Sequence, residues 1–438
     1  MNFKSFFFST FCLLISIISH SQPREKMIIV SYLSFVPHLS QYIEAKANDN
    51  IDCRIIPTDF TDNFHSIKAK IDDLYNYFNA DFLLLVGDNE HIPSYKIEEG
   101  LSDIHYTFTD ENNPIPRMSV GRFSVETAED LQTMIDRTLV RKPFSKHVLG
   151  IASRKESRLT QKKDYEQVCV MGKQLQAKGF TTVSELYDGS PDGNPTYQDV
   201  VSMLQMGASW INYAGNGDYE GWNTTGFENQ HIDNLPDNTE LPIILSASCL
   251  GGHFAGRTCF AEKWLRSTKN GNPIGAVAAI MSSSLTDWDA TLFAMLAMIE
   301  NIPSTNSNCR LGDLYLHGYR YVLDSVQRLK DAQCWVLFGD PSLWIYTAIE
   351  NNIFEQQSHT QSIIIYPNPI NEELKITNYK LRDNEEIAIY DLMGKCIYQI
   401  NKSINNQITN EISIDVSHLS SGMYYLKIGN KAVKFIKE

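Results

Sequence analysis

Short, nearly continuous apolar runs alternate along most of this chain with longer stretches in which apolar residues recur every three or four positions. Residues 27–32 and 82–86 are apolar runs of strand length, and between them Ile67, Ile71, Leu74 and Phe78 fall on one face of a helix predicted over 66–78. The same spacing predicts helices over 128–141, 165–178, 196–206 and 259–267, interleaved with buried strands at 148–152, 210–213, 243–247 and 274–281. Strands buried on both faces and separated by helices build an α/β sheet with parallel core strands. In such a sheet, ligand chemistry gathers at the carboxyl ends of the strands.

The pattern changes after residue 346. A polar, Gln/Asn-rich linker at 351–361 is followed by period-two alternation at 373–377, 387–390, 412–416 and 423–428, with turn signals at Asn368-Pro369, Met393-Gly394 and Ser421-Gly422. Residues 362–438 are therefore expected to form a small all-β sandwich.

At the other end, residues 1–22 combine an early Lys4, an apolar stretch over 6–18 and a small polar exit. This is the build of a secretory signal peptide, and the stretch falls short of the roughly 20 apolar residues a membrane-spanning helix needs. No later segment is long and apolar enough to span, so no transmembrane anchor is expected. The net charge of −14 excludes the basic surface on which nucleic-acid binding depends. Of 8 cysteines, Cys12 lies in the signal segment, and the other seven lack the close pairs of a metal site. Their odd number leaves at least one thiol free or paired between chains.

Two strand-end loops carry candidate chemistry. The strand at 210–213 runs into Gly215-Asn216-Gly217, where glycines allow close backbone approach to a ligand and turn N–H groups outward. The strand at 243–247 runs into Ser248-Cys249-Leu250-Gly251-Gly252-His253. A cysteine at the carboxyl end of a strand is either an inert buried thiol or a nucleophile activated by neighbouring dipoles or imidazole.

Over residues 27–347 the sequence resembles the gingipain-type (C25) cysteine peptidases. The resemblance rests on residues 82–88 (FLLLVGD) with Ile92-Pro93, 120–124 (VGRFS), 259–262 (CFAE), 275–280 (GAVAAI) and 337–342 (LFGDPS), all in the family's order. It implies a caspase/gingipain-like fold. It also implies a thiol nucleophile at Cys249 that forms an acyl-enzyme, and an oxyanion hole from the N–H groups of Cys249 and Gly217. Trp288 falls where relatives place a wall of the primary specificity pocket. Calcium accompanies the fold in relatives, although the chemistry requires no cofactor, and the loop acids Asp88, Asp103 and Asp110 have no recognised calcium-loop spacing.

The chain departs from the family at the base. Relatives have Gly-His-Gly where this sequence has Gly215-Asn216-Gly217, and an amide cannot shuttle protons near neutral pH. The family's orienting acid falls nearest Lys155, with Glu156 one residue along. His253 and His231 are the substitute bases within reach in sequence. The stretch 157–163 (SRLTQKK) is basic where relatives that cut after Arg or Lys are acidic, so a cationic side chain is expected to be repelled.

Residues 362–438 resemble the C-terminal sorting domain of the type IX secretion system of Bacteroidetes, carried by 366–369 (YPNP), 390–395 (YDLMGK), 419–426 (LSSGMYYL) and 434–437 (KFIK). Two functional readings follow. One is a secreted cysteine endopeptidase acting on peptide or protein substrates with a displaced base. The other is a catalytically silent pseudopeptidase whose cleft binds peptide or a surface partner.

Overall fold

In the computed structural model the chain divides into two units, Met1–Asn351 and Asn352–Glu438. The described residues are 24–110, 113–139, 146–189, 194–236, 240–303, 308–326 and 328–346 of the first, and 364–366, 370–377, 387–391, 395–400, 411–428 and 431–438 of the second. The signal segment at 1–22 and the linker at 351–361 lie outside them.

The core of the first unit is a 10-stranded sheet. In chain order its strands are β1 (Glu25–Tyr32), β2 (Ile51–Thr58), β3 (Phe82–Val86), β4 (Ser119–Phe123), β5 (His147–Ala152), β6 (Thr182–Tyr187), β7 (Trp210–Ala214), β8 (Ile243–Ala247), β9 (Ala278–Ser282) and β10 (Trp335–Phe338). The spatial order is β6-β5-β7-β8-β9-β10-β4-β3-β1-β2. Every neighbouring pair is parallel except β9 and β10. The sheet thus consists of two parallel halves that run in opposite directions, and their carboxyl ends lie at opposite rims. This refines the parallel-core expectation, because only the rim of β5, β7, β8 and β9 carries both candidate loops.

Central strands β3, β7, β8 and β9 are buried along their whole length, which explains their unbroken apolar runs. Helices α1 (Ser40–Asn48), α2 (Phe64–Phe78), α3 (Ala128–Leu139), α4 (Asp164–Ala177), α5 (Tyr197–Gln205), α6 (Phe260–Arg266), α7 (Trp288–Asn301) and α8 (Leu311–Tyr321) flank the sheet. They cover it through two apolar layers. One gathers Ile67, Ile71 and Phe78 of α2 with Met295 and Met298 of α7, and the other gathers Leu131 and Ile135 of α3 with Trp264 of α6.

The strand expected at 274–281 begins only at Ala278. Gly275 takes φ +91°, and Ile274 and Ala276 spend their N–H groups on Ser267 O and Trp264 O instead of the ladder. Buried Arg137 fastens this turn by donating to the carbonyls of Trp264, Ser267, Ile274 and Ala276.

In the second unit a three-stranded and a four-stranded antiparallel sheet share one apolar core that includes Leu374, Ile389, Leu426 and Phe435. This is the small sandwich that the alternating pattern predicts.

Candidate active site

Strands β7 and β8 pair in register through Ala214 and Ala247, so they release their loops side by side. Gly215 N–H donates to Ala247 O at 3.2 Å as the last rung. Beyond it, Asn216 O accepts from Asn223 N–H at 3.1 Å and from Tyr213 Oη–H at 2.5 Å, while Asp218 N–H donates to Gly221 O at 3.2 Å. These bonds bracket Gly217, and its own N–H has no hydrogen-bond partner among the described residues. A Cβ at Gly217 would stand 3.0 Å from both Cβ and Oγ of Ser248. Glycine is thus what lets this loop close on the residue preceding Cys249.

The scaffold beneath is shared by both loops. Trp222 stacks on Tyr213 with ring centroids 4.7 Å apart and donates from Nε1 to Ser246 Oγ, which meets Ser248 Oγ at 2.9 Å.

Cys249 is half-buried at a strained turn. Leu250 takes φ +63°, and Gly251 N–H closes back on Cys249 O at 2.8 Å. A non-glycine residue held in this region costs about 1–3 kcal/mol and persists only where its surroundings impose it. Here they do, because Leu250 N–H and Gly252 N–H are tied to Ser284 O and Ser282 O at 3.1 and 2.9 Å. Gly217 and Cys249 each keep an N–H free of partners among the described residues.

The sulfur itself faces Thr286. Its backbone N–H donates to Sγ at 3.5 Å, and its carbonyl lies 3.7 Å from Sγ on the thiol's donor side. Thr286 Oγ1 in turn donates to Asp331 Oδ1 at 3.0 Å, and Asp287 N–H reaches the same oxygen at 3.2 Å. Burial pushes the Asp331 carboxyl above the ordinary carboxylate range, against the bonds from Thr286 and Asp287. The sequence reading missed both Thr286 and Asp331, which lie 37 residues from Cys249 and 45 from Thr286 respectively. No local spacing encodes such contacts.

Neither histidine is bonded to the sulfur. His253 Nδ1 donates to Ser283 O at 2.7 Å, and its ring meets Tyr219 edge-on at 5.5 Å. His231 Nδ1 accepts from Glu228 N–H at 2.9 Å, and its ring stacks on Tyr197 at 3.9 Å. The Asn216 side chain is exposed. Glu156 is exposed too, and its backbone pairs with that of Lys163 in an antiparallel bridge across the turn of its own loop. Trp288 opens α7 two residues beyond Thr286, and its side chain is outside the described set.

The basic stretch borders the site, since a Cβ at Gly215 would stand 3.3 Å from Ser153 Cβ, where that loop begins. Arg154, Lys155, Arg158, Lys162 and Lys163 are exposed along it. Behind the rim the charge changes sign. Buried Asp164 accepts from Ser153 Oγ at 2.5 Å, and buried Asp289 accepts from Arg158 N–H at 3.1 Å.

Two of the loop acids considered for calcium, Asp88 and Asp103, are engaged elsewhere. Asp103 is paired with fully buried Arg122, its Oδ1 lying 2.6 Å from Nη2, and Asp88 Oδ1 collects the N–H groups of Glu90 and His91 and the His91 ring. These carboxylates are already satisfied by cations and donors, so they do not fit a calcium cage. Among the described residues no group of three or more acids, histidines and cysteines is placed to hold a metal. The seven described cysteines are all free thiols.

This strand-end thiol with free flanking donors sits on a sheet of known kind. Residues 20–346 match the model of peptidase family C25, and residues 364–438 match that of the secretion system C-terminal sorting domain. The chain belongs to peptidase family C25. Gingipain R2 of Porphyromonas gingivalis is 31% identical over 287 residues, which cover 61% of this chain and 38% of that protein. For gingipain R1 of the same organism the identity is 31%, over 28% of its length. The chain spans well under half of these curated relatives. The crystal structure of the Arg-specific cysteine proteinase gingipain R shares the fold at 20% identity, with a TM-score of 0.69 over 95% of this chain and 98% of that one. The sorting domain marks the C25 chain for type IX export to the cell surface or the extracellular space. Among the described residues no helix is long and apolar enough to cross a membrane.

Proposed function

We propose that the C25 module binds peptide across Cys249 without turning it over near neutral pH: a pseudopeptidase that keeps its nucleophile and oxyanion donors but lacks the proton carrier. The observation that supports this reading is the surroundings of the sulfur, whose hydrogen bonds go to the backbone of Thr286 and to no imidazole. Acyl transfer from an amide requires a proton for the leaving amine and later a base for water. Asn216 supplies neither. The unpartnered N–H groups of Gly217 and Cys249 still suit a peptide carbonyl oxygen.

The cationic rim at 154–163 favours peptides with acidic residues flanking the site, unlike a relative named for Arg specificity. The purified mature protein, offered a mixed peptide library, is expected to bind acidic members more tightly at low salt and to release no products. Cleavage that disappears in Cys249→Ala would overturn the silent reading.

A second reading, turnover with His253 as base, has one supporting observation. Donation from Nδ1 to Ser283 O leaves Nε2 as the acceptor nitrogen of the neutral ring. Turnover that needs both Cys249 and His253 would establish it.

A further inference from the structure

The turn opposite the sulfur is built from a part of the chain that the family's nucleophile and base motifs do not include. Thr286 and Asp287 connect β9 to α7, and three attachments fix them. Asp331 Oδ1 accepts from Thr286 Oγ1 at 3.0 Å and from Asp287 N–H at 3.2 Å, Asp287 Oδ1 caps α7 by accepting from Asp289 N–H at 3.3 Å, and Arg328 Nη2 lies 3.5 Å from Asp287 Oδ2. Asp331 belongs to the short helix Leu329–Gln333 and is 7% exposed, so a single buried carboxylate oxygen holds both donors of the turn. A buried carboxylate with two well-aligned donors is a stiff anchor, because moving either donor leaves a desolvated charge unsatisfied.

What the anchor fixes is the direction of one N–H. Thr286 presents its carbonyl to the sulfur as well as its amide, at 3.7 and 3.5 Å. The carbonyl accepts from the neutral S–H, while the N–H is the group that favours the anion. Among the described residues, Thr286 N–H is the donor that reaches the sulfur.

We propose that Asp331 is a positioning residue for the nucleophile. It locks the Thr286–Asp287 turn so that Thr286 N–H points at Cys249 Sγ and supports the thiolate without histidine. The inference rests on the reading of Cys249 as the nucleophile but requires neither peptide binding nor turnover. The charged and titratable groups around the turn are Asp287, Asp289, Arg328, Asp331, Cys334 and Lys330, the last engaged with Glu98, together with His253 on the Cys249 loop.

The test is iodoacetamide alkylation of Cys249 across pH in the purified full chain, resolved by peptide mass spectrometry. Exposed Cys396 is the internal reference, and Cys53 and Cys309, whose thiols burial pushes up to about 12, are the slow controls. Asp331→Ala is expected to slow alkylation of Cys249 near neutral pH about tenfold, leaving Cys396 unchanged. Asp331→Asn keeps an oxygen acceptor for both donors and is expected to recover most of the rate, whereas Asp331→Leu, which fills the same space without an acceptor, is expected to stay as slow as Asp331→Ala. Thr286→Ala, which removes one of the two donors to Asp331, is expected to fall between wild type and Asp331→Ala, and it serves if Asp331→Ala does not fold. An unchanged Cys249 alkylation rate in folded Asp331→Ala, or in Thr286→Ala where Asp331→Ala does not fold, overturns the proposal. Loss of peptide binding with the alkylation shifts intact would overturn the proposed function alone.

Discussion

The backbone amide of Thr286 donates to the sulfur of Cys249 at 3.5 Å, joining the loop after β8 to the loop after β9. The sulfur is therefore held by main chain, which cannot carry a proton away. On the proposed reading, that difference separates a reactive thiol from a working peptidase.

Restoring an imidazole tests this separation directly. Asn216 is exposed, and its carbonyl, bound by Tyr213 and Asn223, fixes the loop without using the side chain. Asn216→His is expected to raise hydrolysis of a mixed peptide library by about 100-fold, the usual contribution of a general base. Adding Cys249→Ala should return it to background. Continued inertness of Asn216→His would mean that a carboxylate orienting the imidazole is also needed.

Gly217→Ala probes the oxyanion donors. The added Cβ would meet Gly221 O and Ser248 at 3.0 Å, and the loop must shift its N–H away from Cys249 to accommodate it. Acylation of Cys249 by an activated peptide ester, which needs no protonated leaving amine, should slow about 100-fold, as for loss of one oxyanion donor. Unchanged labelling would remove Gly217 from the site.

His253→Ala is expected to leave the alkylation rate of Cys249 unchanged while lowering stability by about 1 kcal/mol through loss of the bond to Ser283 O. A clear fall in thiol reactivity would favour the displaced-base reading.

Stability at low pH should depend on Asp340. Burial opposes ionisation of this carboxyl, but Lys46 at 2.5 Å and the donors of Ser342 outweigh it and hold the group below the usual carboxylate range. The native state gains from this at pH above the unfolded value of about 3.9, and the gain is lost as pH falls through the lower folded value. Asp340→Asn breaks the buried pair and should cost about 3–5 kcal/mol in urea unfolding near pH 7. The gap to wild type should narrow in acid below the usual carboxylate range.

Much of the site was legible before folding. The apolar runs at 210–213 and 243–247 end where β7 and β8 end, give or take one residue, because strands buried on both faces admit no polar interruption. The glycines of the first loop and the cysteine of the second followed from position and family order. By contrast, the expected strand at 274–281 lost its first four residues to a turn that buried Arg137 collects from a distant helix. Its apolar pattern could not reveal that pairing.

By itself the sequence determined the α/β class, the β-rich sorting tail, the place of Cys249 and the absence of histidine at 216, since each depends on residue identity or short-range periodicity. Tertiary structure alone decided that the sheet is two opposed parallel halves, that His253 and His231 are committed to other partners, and that Thr286 meets the sulfur and is itself tied to Asp331. These depend on which distant strands and loops pack together, and hydrogen bonds spanning 37 and 45 residues leave no periodic trace in the chain.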